Sequence, residues 1–481
     1  MPRFLSRLQR HDWATPTVLL AVVVVMAASV ARAFTTDPLG SADEPAHIDY
    51  ALQVWHGHLP RFADGLRYTA PFGAHPPVQW VAQHPPLFYL VLAPVVGPAW
   101  DAGHLVLATM LGRMVSVVAA GALVLACAWA ASRAFPAMRR LPSAVAVVTA
   151  LTGIVVVQGG SIYNDAFYAV LCALAGGVAA SAIRRGVGPR LLVAGALVGA
   201  AGMTTRLSFG IWLAAVVVGF ALAHRTRLGR LRGAAARVVA ALVPLVAAGA
   251  ASGWFWVRNH ELTGSFSGRP TTWTGHVPRE KRTDLQVVTD PDYWRGIFGA
   301  FRGALDPLSA TPWLLLLVPV FLAAVAVLLH AVLRGRRRPS SDGFVPAALV
   351  VAMFAVVTLL FTIVEIRYVA GGGGTINRYV LTVQLPIALL VAGGLAAWGR
   401  ASWVLLTVWS AVALVPYRSL VVLGGLPSVP GADLVAGTAF VVSLVALAVA
   451  LLAVAVPDLR RGRGRRVGGP AQRRASRSTA R

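Results

Sequence analysis

Pro85-Pro86-Leu87-Phe88-Tyr89-Leu90-Val91-Leu92-Ala93-Pro94-Val95-Val96-Gly97-Pro98-Ala99-Trp100 is the stretch on which the reading of the whole chain turns. It is apolar, but it falls short of the roughly 20 residues a helix needs to cross a bilayer, and Pro94 and Pro98 interrupt it. If it crosses, every later segment changes side. The basic loops decide the matter, because Lys and Arg collect on the inner side of a membrane. With 85–100 read as an interfacial or re-entrant helix, all the later arginine clusters fall on one side. Irregular backbone at that depth is tolerated only against protein or a water-filled cavity.

The rest of the chain fits that reading. Its 481 residues are 57% hydrophobic with a mean hydropathy of +0.69, and apolar runs of span length recur from end to end. Val345–Val364 does not alternate in polarity, which excludes a β-barrel. The class is therefore an all-α polytopic membrane protein of about twelve spans, and their ranges are best given in order. A first span at Thr15–Phe34 follows Arg3, Arg7 and Arg10. Ala31-Arg32-Ala33 resembles a signal cleavage site, but retained or cleaved, this span delivers the next segment outside. The core continues through Leu105–Ala131, Leu141–Gln158, Ala166–Ile183, Leu191–Thr205, Ile211–Leu222 and Val238–Val257. It then runs through Pro312–Leu333, Val345–Val364, Val380–Trp398, Trp403–Pro416 and Leu434–Val456. This order leaves Arg133, Arg139, Arg140, Arg184, Arg185, Arg190, Arg225–Arg237, Arg334–Arg338 and Arg400 inside, together with both termini.

The organisation that follows is a cytoplasmic N-terminus and first helix at 1–34 and a first outer loop at 35–103. Core helices occupy 104–257, a second large outer loop 258–310, C-terminal helices 311–457, and a basic, disordered cytoplasmic tail 458–481. Composition alone gives the tail its disorder, and its arginines suit anionic membrane lipids. The net charge of +25 comes almost wholly from arginine, Lys281 being the one lysine. Because those arginines sit in short loops between spans, the charge reflects topology and not nucleic-acid binding. Cys127 and Cys172 lie inside spans without metal-ligand spacing and read as small core residues.

Of the 18 acidic residues, only Asp12, Asp342 and Asp458 fall inside. Three carboxylates and an imidazole crowd into Asp43-Glu44-Pro45-Ala46-His47-Ile48-Asp49. Pro45 suits the first turn of a helix capped by Asp43 or Glu44 and ending near Trp55. Ile48, Leu52 and Trp55 share one face, so this helix is expected to lie flat on the interface. Capping needs one acid; a second, held against the bilayer, has a raised pKa useful to a general base. Asn164-Asp165, after Gly159-Gly160-Ser161, either caps the fourth span or supplies a second acid. Arg206, Arg258 and Arg378 lie on the same outer side, and Gly371–Gly374 sits in the loop that carries Arg378. Snorkelling explains each arginine singly; together, beside the acidic motif, they suggest a phosphate pocket. His84 sits where Pro85 and Pro86 fix an entry turn.

In order and spacing over about residues 15–400, these motifs resemble the C superfamily of glycosyltransferases (GT-C). The motifs are Asp43-Glu44 after the first span, His84-Pro85-Pro86-Leu87 before the second and Asn164-Asp165 opening the fourth. Arg258-Asn259 closing the seventh and Arg378-Tyr379 opening a late span complete the set. The likeness is to protein O-mannosyltransferases, aminoarabinose transferases and bacterial relatives carrying Asp-Glu-Pro-x-His. The resemblance implies an enzyme of the bacterial cytoplasmic membrane that moves a sugar from a polyprenyl-phosphate donor to a hydroxyl acceptor. The acceptor is a glycan, lipid or protein, reached on the extracytoplasmic face during envelope synthesis. By position, Asp43 would be the general base, Glu44 its support and Asp165 the second acid. Arg258, Arg378, His84 and Arg206 would meet the donor phosphate, with His47, Asn164 and Tyr379 as supports. Many relatives carry lysine where Arg206 stands. A divalent metal is possible if Asp43, His47 and Asp165 converge, although they make an incomplete ligand set; the resemblance implies no required cofactor. No large soluble domain follows the last span, which leaves the acceptor unnamed. The rival readings are a lipid or solute transporter, expected to bury ionisable groups near mid-bilayer in related halves, and a non-catalytic envelope-assembly scaffold. A ligase or polymerase using a lipid-diphosphate donor is a further enzyme possibility.

Overall fold

The computed structural model describes residues 13–41, 43–270, 279–301, 311–334, 341–421 and 429–467. Arg3, Arg7, Arg10, Asp12, Arg336–Arg338 and the tail from 468 lie outside the described residues. Nearly all described structure is helical. Among the described residues, seven helices are long and apolar enough to cross a membrane, and a bent pair forms an eighth candidate. Five shorter apolar helices accompany them.

Helix α1 (Pro16–Ala33) begins where Thr15 caps it by accepting a hydrogen bond from the Val18 amide at 3.3 Å, with Pro16 in the first turn. Helix α2 (Glu44–Trp55) follows and stops at His56-Gly57, where Gly57 takes a positive φ. The decisive stretch forms α3 (Leu87–Asp101) with Pro94 and Pro98 inside it, about 22 Å long, and it packs against both α2 and α4 (Leu105–Ala134). Helix α2 does not lie on a lipid surface as expected. Glu44 to Gln53 are all buried, Ile48 and Leu52 fully, under α3 and the turn Trp80–Gln83, and only Trp55 keeps an exposed ring. A Cβ at Gly97 would lie 2.4 Å from the Trp55 ring, so glycine there permits the close contact of α2 and α3.

The expected third span is broken. Helices α5 (Leu141–Ala150) and α6 (Gly153–Gly159) meet at 60°. At the break, Thr152 donates its hydroxyl to the Val148 carbonyl and accepts from the Gln384 amide. The break carries Gly159-Gly160-Ser161 to the N-terminus of α7 (Asp165–Arg185), whose small residues let α4 lie close. Helices α8 (Pro189–Met203), α9 (Gly210–Ala221) and α10 (Gly233–Thr263) follow, with a short hairpin of β1 (Arg227–Leu228) and β2 (Leu231–Arg232) before α10. The second outer loop carries α11 (Asp284–Val288) and α12 (Pro291–Phe298), the former under a Thr283–Gln286 capping box. Helices α13 (Thr311–Arg334), α14 (Ser341–Ala370), α15 (Gln384–Ala396), α16 (Ser402–Val421) and α17 (Ala432–Val467) complete the chain. A 3-10 stretch, Asn377–Val383, precedes α15. Helix α17 continues through the first basic residues of the expected tail. It closes on α1, where Ser443 donates to the Val24 carbonyl at 3.0 Å.

Candidate active site

The C-terminal end of α1 and the N-terminal ends of α2, α4 and α7 meet at one end of the bundle, where the acidic motif divides into three parts with separate work. Asp49 organises the outer loop. Its Oδ1 accepts from the Arg67 and Tyr68 amides at 2.8 and 2.7 Å, and its Oδ2 accepts from the side chains of Gln53 and Gln79. Burial raises its pKa, and these hydrogen bonds pull against that rise.

Glu44 forms a clasp with Arg113 of α4, and both side chains are completely buried. Arg113 gives Nε to Glu44 Oε1 at 3.0 Å and Nη2 to Oε2 at 2.9 Å. Its remaining donors reach the carbonyls of Ala33, Thr36 and Asp37 at 2.7, 2.8 and 2.7 Å. Glu44 Oε1 also accepts the Ile162 amide at 2.8 Å. The clasp therefore ties the exit of α1 to α2, α4 and the loop before α7. Glu44, expected beside Asp43 in the chemistry, has its carboxylate consumed by this structural contact. Arg113 belongs to none of the sequence motifs. Its signal was an arginine eight positions inside an apolar span, where an unpaired charge is costly enough to demand a partner.

Asp43 does something else. It stands at the N-cap of α2 without making a side-chain cap bond, and its carboxylate pairs with Arg378 from the 3-10 stretch before α15. Asn164 and Asp165, at the start of α7, also leave their helix uncapped. Asn164 Oδ1 accepts from Arg206, and Asp165 Oδ1 lies 2.8 Å from Arg206 Nη2. Arg378 Nε lies 3.9 Å from Asp165 Oδ2, too long for a hydrogen bond. Capping explains none of the three side chains. Arg378 thus links Asp43 to Asp165, and Arg206 pairs with Asp165.

The cluster is incompletely satisfied. Among its buried atoms, Asp165 Oδ2, Asn164 Nδ2, Arg206 Nε and Arg378 Nε have no hydrogen-bond partner. Buried polar atoms are nearly always paired, and here four of them stand unpaired in one cluster. Tyr163 supplies a wall, its ring centroid 4.7 Å from the Arg378 guanidinium carbon and its hydroxyl on Ser41 Oγ at 3.1 Å. Burial pushes its pKa up to about 12, so the phenol stays protonated. Tyr379 lies under the same guanidinium at 5.8 Å, and Tyr168 lies 5.2 Å below Arg206.

His47 is buried behind this wall, with Nδ1 3.0 Å from the Tyr89 hydroxyl. Burial first, then His84, Arg378 and Arg206, hold its pKa well below the ordinary range and keep the ring neutral. His84 is half-buried; its carbonyl accepts from Tyr50 at 2.9 Å, and burial with the two arginines likewise lowers its pKa. Its imidazole meets no protein hydrogen-bond partner among the described residues. Arg258 is not brought to the cluster. Its Nη2 donates to the carbonyls of Pro60 and Leu59 at 2.9 and 3.4 Å, and the neighbouring Asn259 holds the Gln83 carbonyl. These two residues anchor the outer loop to α10. Among the described residues, no three His, Cys, Asp or Glu side chains group so as to hold a metal ion, and Asp43, His47 and Asp165 make no such set.

The helical fold and its apolar spans define a multi-pass membrane protein. No family model matches the sequence, and no curated protein matches it. Among solved structures, the chain is similar to the Archaeoglobus fulgidus oligosaccharyltransferase tethered to an acceptor peptide, at 13% identity and TM-score 0.45. That match covers 89% of this chain and 56% of the other. The archaeal enzyme AglB with an inhibitory peptide and a dolichol-phosphate gives 13% identity and TM-score 0.43, over 88% and 56%. ArnT from Cupriavidus metallidurans gives 16% and 0.39, over 84% and 77%. The chain spans just over half the length of the archaeal enzyme. Likeness of this degree fixes neither substrate nor activity; the cluster itself carries the functional reading.

Proposed function

We propose that the protein is a membrane glycosyltransferase that moves a sugar from a polyprenyl-phosphate donor to a hydroxyl acceptor. The observation that carries this reading is the partly unsatisfied cluster in which Arg378 stands between Asp43 and Asp165 and Arg206 pairs with Asp165. Two guanidinium groups with free donors suit a phosphate, and carboxylates beside them suit proton removal from a hydroxyl. Asp43 takes the proton of the acceptor hydroxyl as its oxygen bonds to the anomeric carbon. The bond from that carbon to the phosphate oxygen breaks, its electron pair leaves with the lipid phosphate, and Arg378 and Arg206 neutralise the charge. The resting Asp43–Arg378 pair opens when the donor phosphate takes the guanidinium, which frees the carboxylate. Asp165 keeps Arg206 and Arg378 aimed inward, and His84 with its unengaged imidazole lies within reach of the same region.

The reading extends to topology. The seven long helices, the bent pair and the four shorter apolar helices other than α3 make twelve crossings, with the site on the extracytoplasmic face of a bacterial cytoplasmic membrane and a role in envelope glycan synthesis. Purified protein in lipid, given a panel of radiolabelled polyprenyl-phosphate sugars and a cell-envelope extract as acceptor source, is expected to release lipid phosphate from at least one donor. Failure with every donor would defeat the transferase reading. A reporter fused beside Asp165 that reads cytoplasm would defeat the topology.

A further inference from the structure

At the far end of the bundle from the site lies a second cationic feature that the proposed reaction does not use. Helix α7 runs from Asp165 to Arg185, roughly 31 Å away, and the hairpin β1–β2 stands at that far end, between α9 and α10. It is held there by backbone. Val187 donates its amide to the Arg225 carbonyl at 2.9 Å, and Arg227 returns its own to the Val187 carbonyl at 3.0 Å. Gly186, at a positive φ, leaves no room for a side chain, since a Cβ would lie 1.8 Å from the Arg225 carbonyl oxygen.

This fixed hairpin borders an open surface pocket of about 410 Å³ lined by His224, Arg225, Thr226, Arg227, Arg232 and Arg237, with Gly233 at its edge. Arg227 stands directly opposite Arg232 across the two strands. Like charges in that position repel, and among the described residues no carboxylate pairs with any of the four arginines. The 31-residue helix α10 begins at Gly233, so its unsatisfied amides add positive potential at the same edge. The whole surround selects an anion.

Its depth selects the source. The 15-residue α8 is roughly 22 Å long, short of the ~30 Å apolar layer, and the apolar stretch Leu207–Ala221 ending in α9 has the same reach. Short spans draw their ends down to headgroup level. Leu228 and Leu231 pair at the hairpin tip, with Leu231 exposed, so the tip presents apolar side chains just beyond the arginines. We infer that the pocket lined by Arg225, Arg227, Arg232 and Arg237 binds the phosphate of an anionic phospholipid in the leaflet opposite the active site. The inference does not depend on the transferase reading, and its readout is lipid and not turnover.

The test uses the whole protein in nanodiscs of phosphatidylcholine with phosphatidylglycerol, followed by native mass spectrometry of retained lipid. Wild type is expected to keep phosphatidylglycerol. The triple variant R227Q/R232Q/R237Q is expected to lose it by roughly fivefold per arginine removed. The double variant R139Q/R190Q, altering exposed arginines at the same end, is expected to retain it. Should the triple variant aggregate, R232Q alone, on an exposed side chain, makes the same comparison. Equal retention by the pocket variants, or equal loss in the R139Q/R190Q control, would overturn the inference. So would displacement of the lipid by millimolar inorganic phosphate, which would mark a site for a free anion.

Discussion

Two arginine–carboxylate groupings lie at one end of this bundle, and they are opposites. Around Arg113 and Glu44, every guanidinium direction ends on an oxygen, and no water reaches either side chain. Around Arg378, Arg206, Asp43 and Asp165, four buried polar atoms have no partner and both arginines keep an unused Nε. The first grouping is satisfied by protein alone, whereas the second leaves three donors and one acceptor unpaired. Adjacent residues of one motif, Asp43 and Glu44, therefore make unrelated contacts. The difference lies in hydrogen-bond saturation and not in residue type.

The widest separation between the two groupings should come from Arg113→Ala. Removing one member of a buried pair strands the other and costs about 3–5 kcal/mol. We expect little folded protein by size exclusion in detergent, or a large drop in melting temperature. A well-folded, stable variant would break the contrast at its first member. Asp43→Asn is expected to lower the melting temperature less than Arg113→Ala, because Asp165 still faces Arg378, while lowering donor turnover about 10²- to 10⁴-fold. Arg378→Lys keeps the charge but loses the planar fork, and turnover should fall about 10²-fold or more. Arg258→Ala sharpens the comparison from outside. Losing its two carbonyl bonds should cost about 1–3 kcal/mol of stability and change turnover only a few-fold; a deficit as deep as that of Asp43→Asn would return Arg258 to the phosphate. The smallest effect concerns pH. His47 is held neutral with a pKa below its unfolded value, so the unfolded chain binds the extra proton first. Stability is then full above about pH 6.5 and is lost as pH falls below it. Replacing His47 with Asn should flatten thermal stability between neutral and mildly acidic pH, apart from what His84 contributes.

Much of this was legible in the sequence because membrane constraints are strong. Apolar length and arginine placement located nearly every helix, and the two prolines kept Leu87–Asp101 out of the set of long spans. The acidic motif, Asn164-Asp165, Arg206 and Arg378 were visible as polar side chains without an apolar task. That Asp43 would meet Arg378 across 335 positions was not legible, since no local rule fixes such a pairing. Glu44 and Asp43 could not be told apart because helix capping and catalysis favour the same residues there. Arg258 misled for a related reason: an arginine at a helix end satisfies loop carbonyls as readily as phosphate. The break at Leu151-Thr152 was hidden by continuous hydropathy, because the groups that stabilise it are a threonine hydroxyl and a distant Gln384.

The central claim is tested most directly by measuring polyprenyl-phosphate release from the accepted donor, side by side with thermal stability, for wild type, Asp43→Asn and Glu44→Gln. The account predicts an Asp43→Asn protein that is folded but nearly inactive, and a Glu44→Gln protein whose defect is chiefly in stability. An Asp43→Asn enzyme that turns over donor at the wild-type rate, or a Glu44→Gln enzyme that is fully stable yet inactive, would contradict it.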